Sequence, residues 1–264
     1  QSCSSIVGYA HIHGDCDDGD ASDARVCFSN WEGIEIVGST GTNLAESYAY
    51  GSFGGQNYHV LGVPTRKVSG VVSGGAYLFS DIGQAFSISD ADIQILSGSN
   101  ATLNLGTAFL LGEDVIGGSD SDLILSSPSQ PTALYICDGS NATTQVDVDG
   151  VTKIDASAIG TRIGLDLAYE DITGDGNKDL IFDLRENNYI AVIHGALGNI
   201  SLTDPASGDY FFLDGVNGRY GYDFEVLDID GVNGADIVVS APESLNKFGR
   251  VSIKLGPIST GSTT

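Results

Sequence analysis

An all-β fold is what this 264-residue sequence predicts, and three observations predict it. Short runs rich in β-branched and aromatic residues recur along the chain, bounded by Gly, Asn, Asp and Ser. Thirty-six glycines against six prolines point to many tight turns between short strands. An acidic loop followed by an apolar strand also returns at a fixed interval. Apolar residues make up 41% of the chain, enough for a real core, so this is no disordered acidic tail.

The interval organises the chain. Glu113 to Pro128 reads EDVIGGSDSDLILSSP, Glu170 to Asp183 reads EDITGDGNKDLIFD, and Leu227 to Pro242 reads LDIDGVNGADIVVSAP. Their leading aspartates are Asp114, Asp171 and Asp228, so the spacing is 171 − 114 = 57 and 228 − 171 = 57 residues. Before each loop lies one strand: Thr107–Leu111, Ile163–Tyr169 and Tyr222–Leu227. After it comes a second: Leu123–Leu125, Leu180–Phe182 and Ile237–Val239. A turn leads to a third: Ala133–Cys137, Tyr189–Ile193 and Arg250–Leu255. A fourth run lies farther upstream, as at Tyr210–Leu213.

Two weaker copies precede these. Around Tyr48–Phe79 the strand pattern survives (SYAYGSFGGQNYHVLGVP, then GGAYLF) and Pro64 matches Pro242, but the Tyr50–Tyr58 loop carries no carboxylate. At the start, Ile6–His13 runs into DCDDGDASD and then ARVCF. A four-stranded unit cannot bury both of its faces alone, whereas radial stacking of such units buries them. The expectation is therefore a β-propeller of about five four-stranded blades, approximately 1–40, 41–83, 84–139, 140–197 and 198–264. No linker or change of composition divides them, so 1–264 reads as a single domain.

The pattern resembles the FG-GAP repeat of integrin α-subunit propellers and related secreted propellers. The matching pieces are DITGDGNKD at Asp171, the loop–strand–Ala–Pro run ending at Pro242, and the G-x-x-Y-x-F-like run Gly75–Phe79. LDGVNG at Leu213–Gly218 is similar to the turn before such repeats in bacterial members. The likeness covers residues 84–256 and is faint before that. It implies calcium-binding inter-strand loops. Integrin propellers have seven blades and this chain has room for five, so closure of the ring by a terminal strand or by a partner is expected.

The chemistry of the loops points to the same ion. Calcium takes six to eight oxygens, and a tight loop can supply them from alternate positions, with glycine allowing the turn. Asp171, Thr173, Asp175, the Asn177 carbonyl and Asp179 satisfy that spacing. The loop at Asp228 offers Asp228, Asp230, the Val232 carbonyl and Asp236. The N-terminal loop offers Asp15, Asp17 and Asp23, with Asp20 as a spare and Cys16 inside it. Asp114, Asp120 and Asp122 form a poorer set, because Ile116 and Gly118 fall where side-chain oxygens are wanted. The bland alternative at each is an Asp/Gly-rich hairpin turn.

With 35 acidic and 11 basic residues the net charge is −24, which repels nucleic acid and anionic membranes. No apolar run is long enough to span a bilayer. Gln1 reads as the residue left by removal of a signal peptide. Sequons stand at Asn100, Asn141 and Asn199, and together they predict a secreted glycoprotein. Cys3, Cys16, Cys27 and Cys137 then read as disulfide-forming, one bridge within the N-terminal segment and Cys137 pairing across the fold.

Signs of catalysis are missing. No nucleophile elbow, zincin motif or P-loop occurs, and calcium loops account for nearly all paired carboxylates. His11 and His13 alternate on one strand face near Asp15; a polar strand face explains them more simply than a transition-metal site. Rim aromatics Tyr48, Tyr50, Tyr58, Tyr210 and Tyr220 suit core packing, or stacking on sugars. The expected function is that of a secreted calcium-binding structural or adhesion module, not an enzyme. It would act through protein partners or self-assembly, with the terminal strands closing the ring or joining copies. A carbohydrate-binding, lectin-like propeller is the alternative.

Overall fold

A computed structural model describes residues 36, 44–80, 87–97, 104–129, 132–141, 143–160, 162–195, 197–202, 210–215, 218–232 and 234–258. The chain divides into Gln1–Glu35, outside the described residues, and Ile36–Thr264, to which everything below belongs. The fold is all-β, arranged as successive antiparallel sheets in chain order.

The first sheet contains β1 (Tyr48–Phe53), β2 (Gln56–Gly62), β5 (Gly75–Phe79) and β6 (Ile93–Leu96), with a small ribbon of β3 (Lys67–Val68) and β4 (Val71–Val72) between β2 and β5. The second contains β7 (Phe109–Glu113), β8 (Asp122–Ser127), β9 (Ala133–Cys137) and β11 (Thr152–Asp155). The third contains β12 (Ile163–Glu170), β13 (Asp179–Leu184), β14 (Tyr189–Ile193) and β16 (Tyr210–Asp214). The fourth has β17 (Phe224–Leu227), β18 (Asp236–Ala241) and β19 (Arg250–Lys254).

Each of the first two sheets gains a fifth, parallel edge strand from the following unit. β10 (Gln145–Asp147) pairs with β6, and β15 (Ile200–Ser201) pairs with β11. Strands that open neighbouring sheets also lie against one another, β1 by β7, β7 by β12 and β12 by β17.

Packing explains why the middle strands are apolar without alternation. In β8, Leu123 and Leu125 face the first sheet, against Val60, Leu78 and Ile95. Ile124 faces the third sheet, with Leu180 and Phe182. In β13, Ile181 turns to the fourth sheet and meets Ile237 and Val239. A strand covered on both faces needs apolar side chains at every position. β18 is buried only at alternate positions over most of its length, the signature of a sheet covered on one face.

Several expectations change. The unit boundaries near 83, 139 and 197 fall too early, because β6, β11 and β16 each complete the sheet that precedes them in sequence. The run Tyr210–Leu213, expected in the last unit, is found as Tyr210–Asp214 and pairs with β14 from Tyr210↔Ile193 to Asp214↔Tyr189. Strand periodicity marks where a strand lies and leaves its partner open. The Tyr50–Tyr58 segment is a tight hairpin and not an open loop: only Gly54 and Gly55 separate β1 from β2, with φ of 58° and 76°. Positive φ at both central residues is the turn that matches strand twist, and two glycines adopt it without strain. Cys137 is buried and forms no disulfide among the described residues. It ends β9 inside the apolar cluster between the first and second sheets. Cys3, Cys16 and Cys27 lie outside the described residues.

Candidate metal centre

The three acidic loops connect the first and second strands of the second, third and fourth sheets. Each ends in an aspartate that opens the next strand: Asp122, Asp179 and Asp236. Their spacing repeats, 179 − 122 = 57 and 236 − 179 = 57. All three are buried. A buried carboxylate is costly unless its oxygens accept hydrogen bonds, and the loops fold so as to provide them.

Asp122 Oδ2 accepts the Val115 and Ile116 N–H at 2.9 and 3.0 Å, and its Oδ1 accepts the Gly139 N–H at 2.9 Å. Asp236 Oδ2 accepts the Ile229 N–H at 2.7 Å, and its Oδ1 accepts that of Gly256 at 2.7 Å. Gly139 and Gly256 each lie two residues beyond the following strand. Asp179 Oδ2 accepts the Ile172 and Thr173 N–H, both at 3.0 Å. Its Oδ1, however, is buried without a hydrogen bond of good geometry among the described residues, and so is Thr173 Oγ1. Gly195 occupies the place of Gly139 and Gly256 but makes no such bond. The titration follows the donors. Backbone N–H groups of Gly256 and Ile229 hold Asp236 below the ordinary carboxyl range. Desolvation pushes Asp179 above it, the Thr173 N–H and hydroxyl and the Ile172 N–H offsetting only part of the cost.

The leading aspartates fold the loops back. Asp114 accepts the N–H groups of Gly117 and Gly118, Asp171 those of Gly174, Asp175 and Gly176, and Asp228 that of Gly231. Asp175 Oδ1 accepts the Asn177 N–H at 2.7 Å, and Asp230 Oδ1 accepts the Val232 N–H at 2.9 Å. Carboxylate oxygens of Asp228, Asp230 and Asp236 lie within 4.8 Å of one another, the one such three-acid group among the described residues. The sets Asp171–Asp175–Asp179 and Asp114–Asp120–Asp122 do not converge to that degree.

The donor set fits a hard divalent cation. Three carboxylates converge in the Asp228 loop, and the buried Asp179 Oδ1 and Thr173 Oγ1, neither in a hydrogen bond of good geometry among the described residues, lie in the loop whose spacing suits calcium best.

Asp15, Asp17, Asp20, Asp23, His11, His13 and Asn100 lie outside the described residues. Asn141 and Asn199 are exposed, in the connections that lead into β10 and β15. Asn199 Oδ1 accepts the Lys153 N–H at 2.8 Å. Of the rim aromatics, Tyr48 and Tyr50 are exposed and flank His59, whose Nδ1 lies 2.9 Å from Tyr48 Oη. Tyr58, Tyr210 and Tyr220 are buried.

Sequence reasoning missed two features. The glycines behind the buried aspartates carried a signal, since Cys137, Ile193 and Lys254 each precede a glycine by two residues. Asp183 carried none. It is wholly buried between the third and fourth sheets, accepting the Asp166 N–H at 2.8 Å and Arg185 Nε at 2.8 Å. Serines, Ser126 and Ser240, occupy the matching positions 57 residues away on either side.

Among known proteins, no family model and no curated sequence matches the chain. Among the described residues no helix is long and apolar enough to cross a membrane.

Proposed function

We propose that this chain is a calcium-binding structural module of an extracellular protein, built on propeller lines and acting by protein contact or self-assembly. The observation that carries the reading is the buried Asp179 Oδ1, left without a hydrogen bond of good geometry among the described residues, in a loop whose other oxygens already follow calcium spacing. A cation supplies the missing partner and relieves the desolvation that raises this carboxyl. Asp171, Thr173, Asp175, the Asn177 carbonyl and Asp179 would hold one ion, and Asp228, Asp230, the Val232 carbonyl and Asp236 a second. No ion is assigned to the Asp114 loop, which has neither an unpartnered buried oxygen nor a convergent group of three acids among the described residues.

The propeller reading is supported by the order of the sheets, the side-by-side opening strands and the face-to-face cores between consecutive sheets. Ions in the loops would stiffen the joints, because Ala235 N–H donates to the Asp171 carbonyl and Ile258 N–H to that of Ile172. Exposed sequons at Asn141 and Asn199 support an extracellular setting.

Calorimetric titration of chelator-treated protein with calcium tests the proposal, alongside melting with and without the ion. At a hundredfold excess over Kd, binding adds about 2.7 kcal/mol, a rise of roughly 5–10 °C for a unit of this size. Asp179→Asn should abolish one binding event and lower that rise. Absence of calcium heat together with an unmoved Tm defeats the reading.

A further inference from the structure

At the end away from the acidic loops, the joint between the third and fourth sheets is held by carboxyl groups. Asp166 Oδ2 on β12 accepts the Phe224 N–H of β17 at 2.9 Å, a direct bond from one sheet to the other. The Asp166 carboxyl is also hydrogen-bonded to that of Asp223, the residue before Phe224. Behind this pair lies Asp183, wholly buried, whose Oδ1 accepts the Asp166 N–H at 2.8 Å. Gly221, leading into β17, packs onto it: a Cβ there would stand 2.9 Å from Ile190 Cδ1 and 3.7 Å from the Asp183 Cβ. Arg185 completes the group. Its Nε donates to Asp183 Oδ2 at 2.8 Å, and its guanidinium lies 4.8 Å from the centre of the Tyr222 ring.

The acids are particular to this joint. The repeat places Phe109 where the third and fourth sheets have Asp166 and Asp223, since 166 − 109 = 57 and 223 − 166 = 57. In the second sheet Ser126 stands in for Asp183, and its Oγ accepts the Ala108 N–H at 3.0 Å. A hydroxyl therefore serves for the local bond, and a carboxyl is not needed to make the fold.

Three carboxyls meet one cation here. Of the other charges at this end, Arg162 pairs with Glu186 at 3.6 Å and Arg219 with Glu243 at 3.3 Å. Glu225 is exposed beyond Phe224, Asp214 ends β16 near the Tyr220 phenol, and Arg250 opens β19, two strands out from β17. The Tyr189 phenol opens β14, which carries no charge, and the one charge of β18, Asp236, is at its far end. Two carboxyls share a hydrogen bond only while one keeps its proton; ionised together they repel. Desolvation, with Asp223 adding to it, raises Asp166, and desolvation holds Asp183 up to about 6 in spite of Arg185. Both shifts are upward, so the folded joint binds these protons more tightly than the unfolded chain. Their contribution is complete below about pH 4 and is lost as pH rises through about 6.

We infer that this end of the joint is a proton-held latch: with protons on its carboxyls the fourth sheet is fastened to the third, and ionisation of Asp166, Asp183 and Asp223 together loosens it. The latch is separate from the ion loops, which lie at the other end of the same strands, and goes beyond the calcium reading without resting on it.

Hydrogen exchange on the full chain in excess chelator, read by mass spectrometry from about pH 5 to about pH 8 and corrected for the intrinsic rate, provides the test. Peptides from β17 and β18 should lose at least about tenfold in protection across that range, while those from β8 and β9 change by less than about twofold. Asp223→Asn alters an exposed residue, and Asp183→Ser installs the residue of the neighbouring sheets; each should shrink the loss to about threefold or less. Should Asp183→Ser misfold, Asp223→Asn decides alone. Wild-type protection that stays level, an equal loss in β8 and β9, or a full-sized loss in Asp223→Asn overturns the inference. Chelator keeps ions out of the measurement, so its outcome is independent of the calcium titration.

Discussion

Replacing Asp122 with alanine isolates the claim that a buried aspartate ties each acidic loop to its sheet. The Asp122 side chain belongs to a residue only 3% exposed, and it accepts three backbone N–H groups at 2.9–3.0 Å. A hydrogen bond to a charged group contributes about 1.5–3 kcal/mol, and an abandoned buried donor costs a similar amount. The three bonds together set an upper bound of about 4.5–9 kcal/mol. Part of that returns, because the carboxylate no longer has to be desolvated and loop donors reach water as the loop relaxes. The expected loss is about 3–5 kcal/mol, the range seen when one partner of a buried charged contact is removed. For a unit of this size that lowers Tm by roughly 6–20 °C. Urea and thermal unfolding followed by circular dichroism, in chelator so that no ion contributes, provide the measurement. Asp114→Ala is the comparison, since the Gly117 and Gly118 donors it releases are exposed; its cost should stay within about 1 kcal/mol. Equal losses in the two variants would refute the reasoning.

Three further outcomes follow from the same geometry. Desolvation pushes the Asp183 carboxyl up to about 6 despite the neighbouring Arg185 guanidinium. With an unfolded value near 3.9, its folded form holds the proton more tightly, so its contribution is complete below about pH 4 and lost as pH rises through about 6. That loss is about 3 kcal/mol; Asp183→Asn should flatten it in urea-unfolding free energies, and an unchanged slope refutes the assignment. Burial, with the Asp122 charge adding to it, pushes the Cys137 thiol up to about 12; peptide mapping should find it unalkylated in native protein and modified after unfolding, and rapid native labelling would contradict its burial. A Cβ on Gly139 would lie 2.1 Å from the Ser121 carbonyl oxygen and 2.7 Å from the Gly54 nitrogen, so Gly139→Ala should cost about 1–3 kcal/mol while Gly118→Ala, with nothing within 4 Å, melts like wild type.

How much of this was legible beforehand depended on whether a feature was local. Strands Ala133–Cys137 and Tyr189–Ile193 are found with the bounds read from composition and flanking turn residues. The 57-residue interval located all three loops and the aspartate that closes each. Partnership was not local. Tyr210–Asp214 has the same alternation whether it starts one sheet or finishes another, and only the cluster joining Tyr210 to Ile193 and Leu180 decides. The loops diverge for the same reason: Asp122, Asp179 and Asp236 are identical in sequence, yet a donor from a glycine after the next strand reaches two of them and misses Asp179.

The amino-acid order alone determined the all-β class, the repeat, and the places where carboxylates gather, because turns, strand alternation and loop spacing act over a dozen residues or fewer. Tertiary structure decided which sheet each fourth strand joins, which buried oxygen a glycine donor misses, and that Cys137 is buried between two sheets. Those outcomes depend on groups far apart in the chain meeting within about 3–4 Å, a distance that hydrogen bonds and side-chain contacts require and that no local pattern encodes.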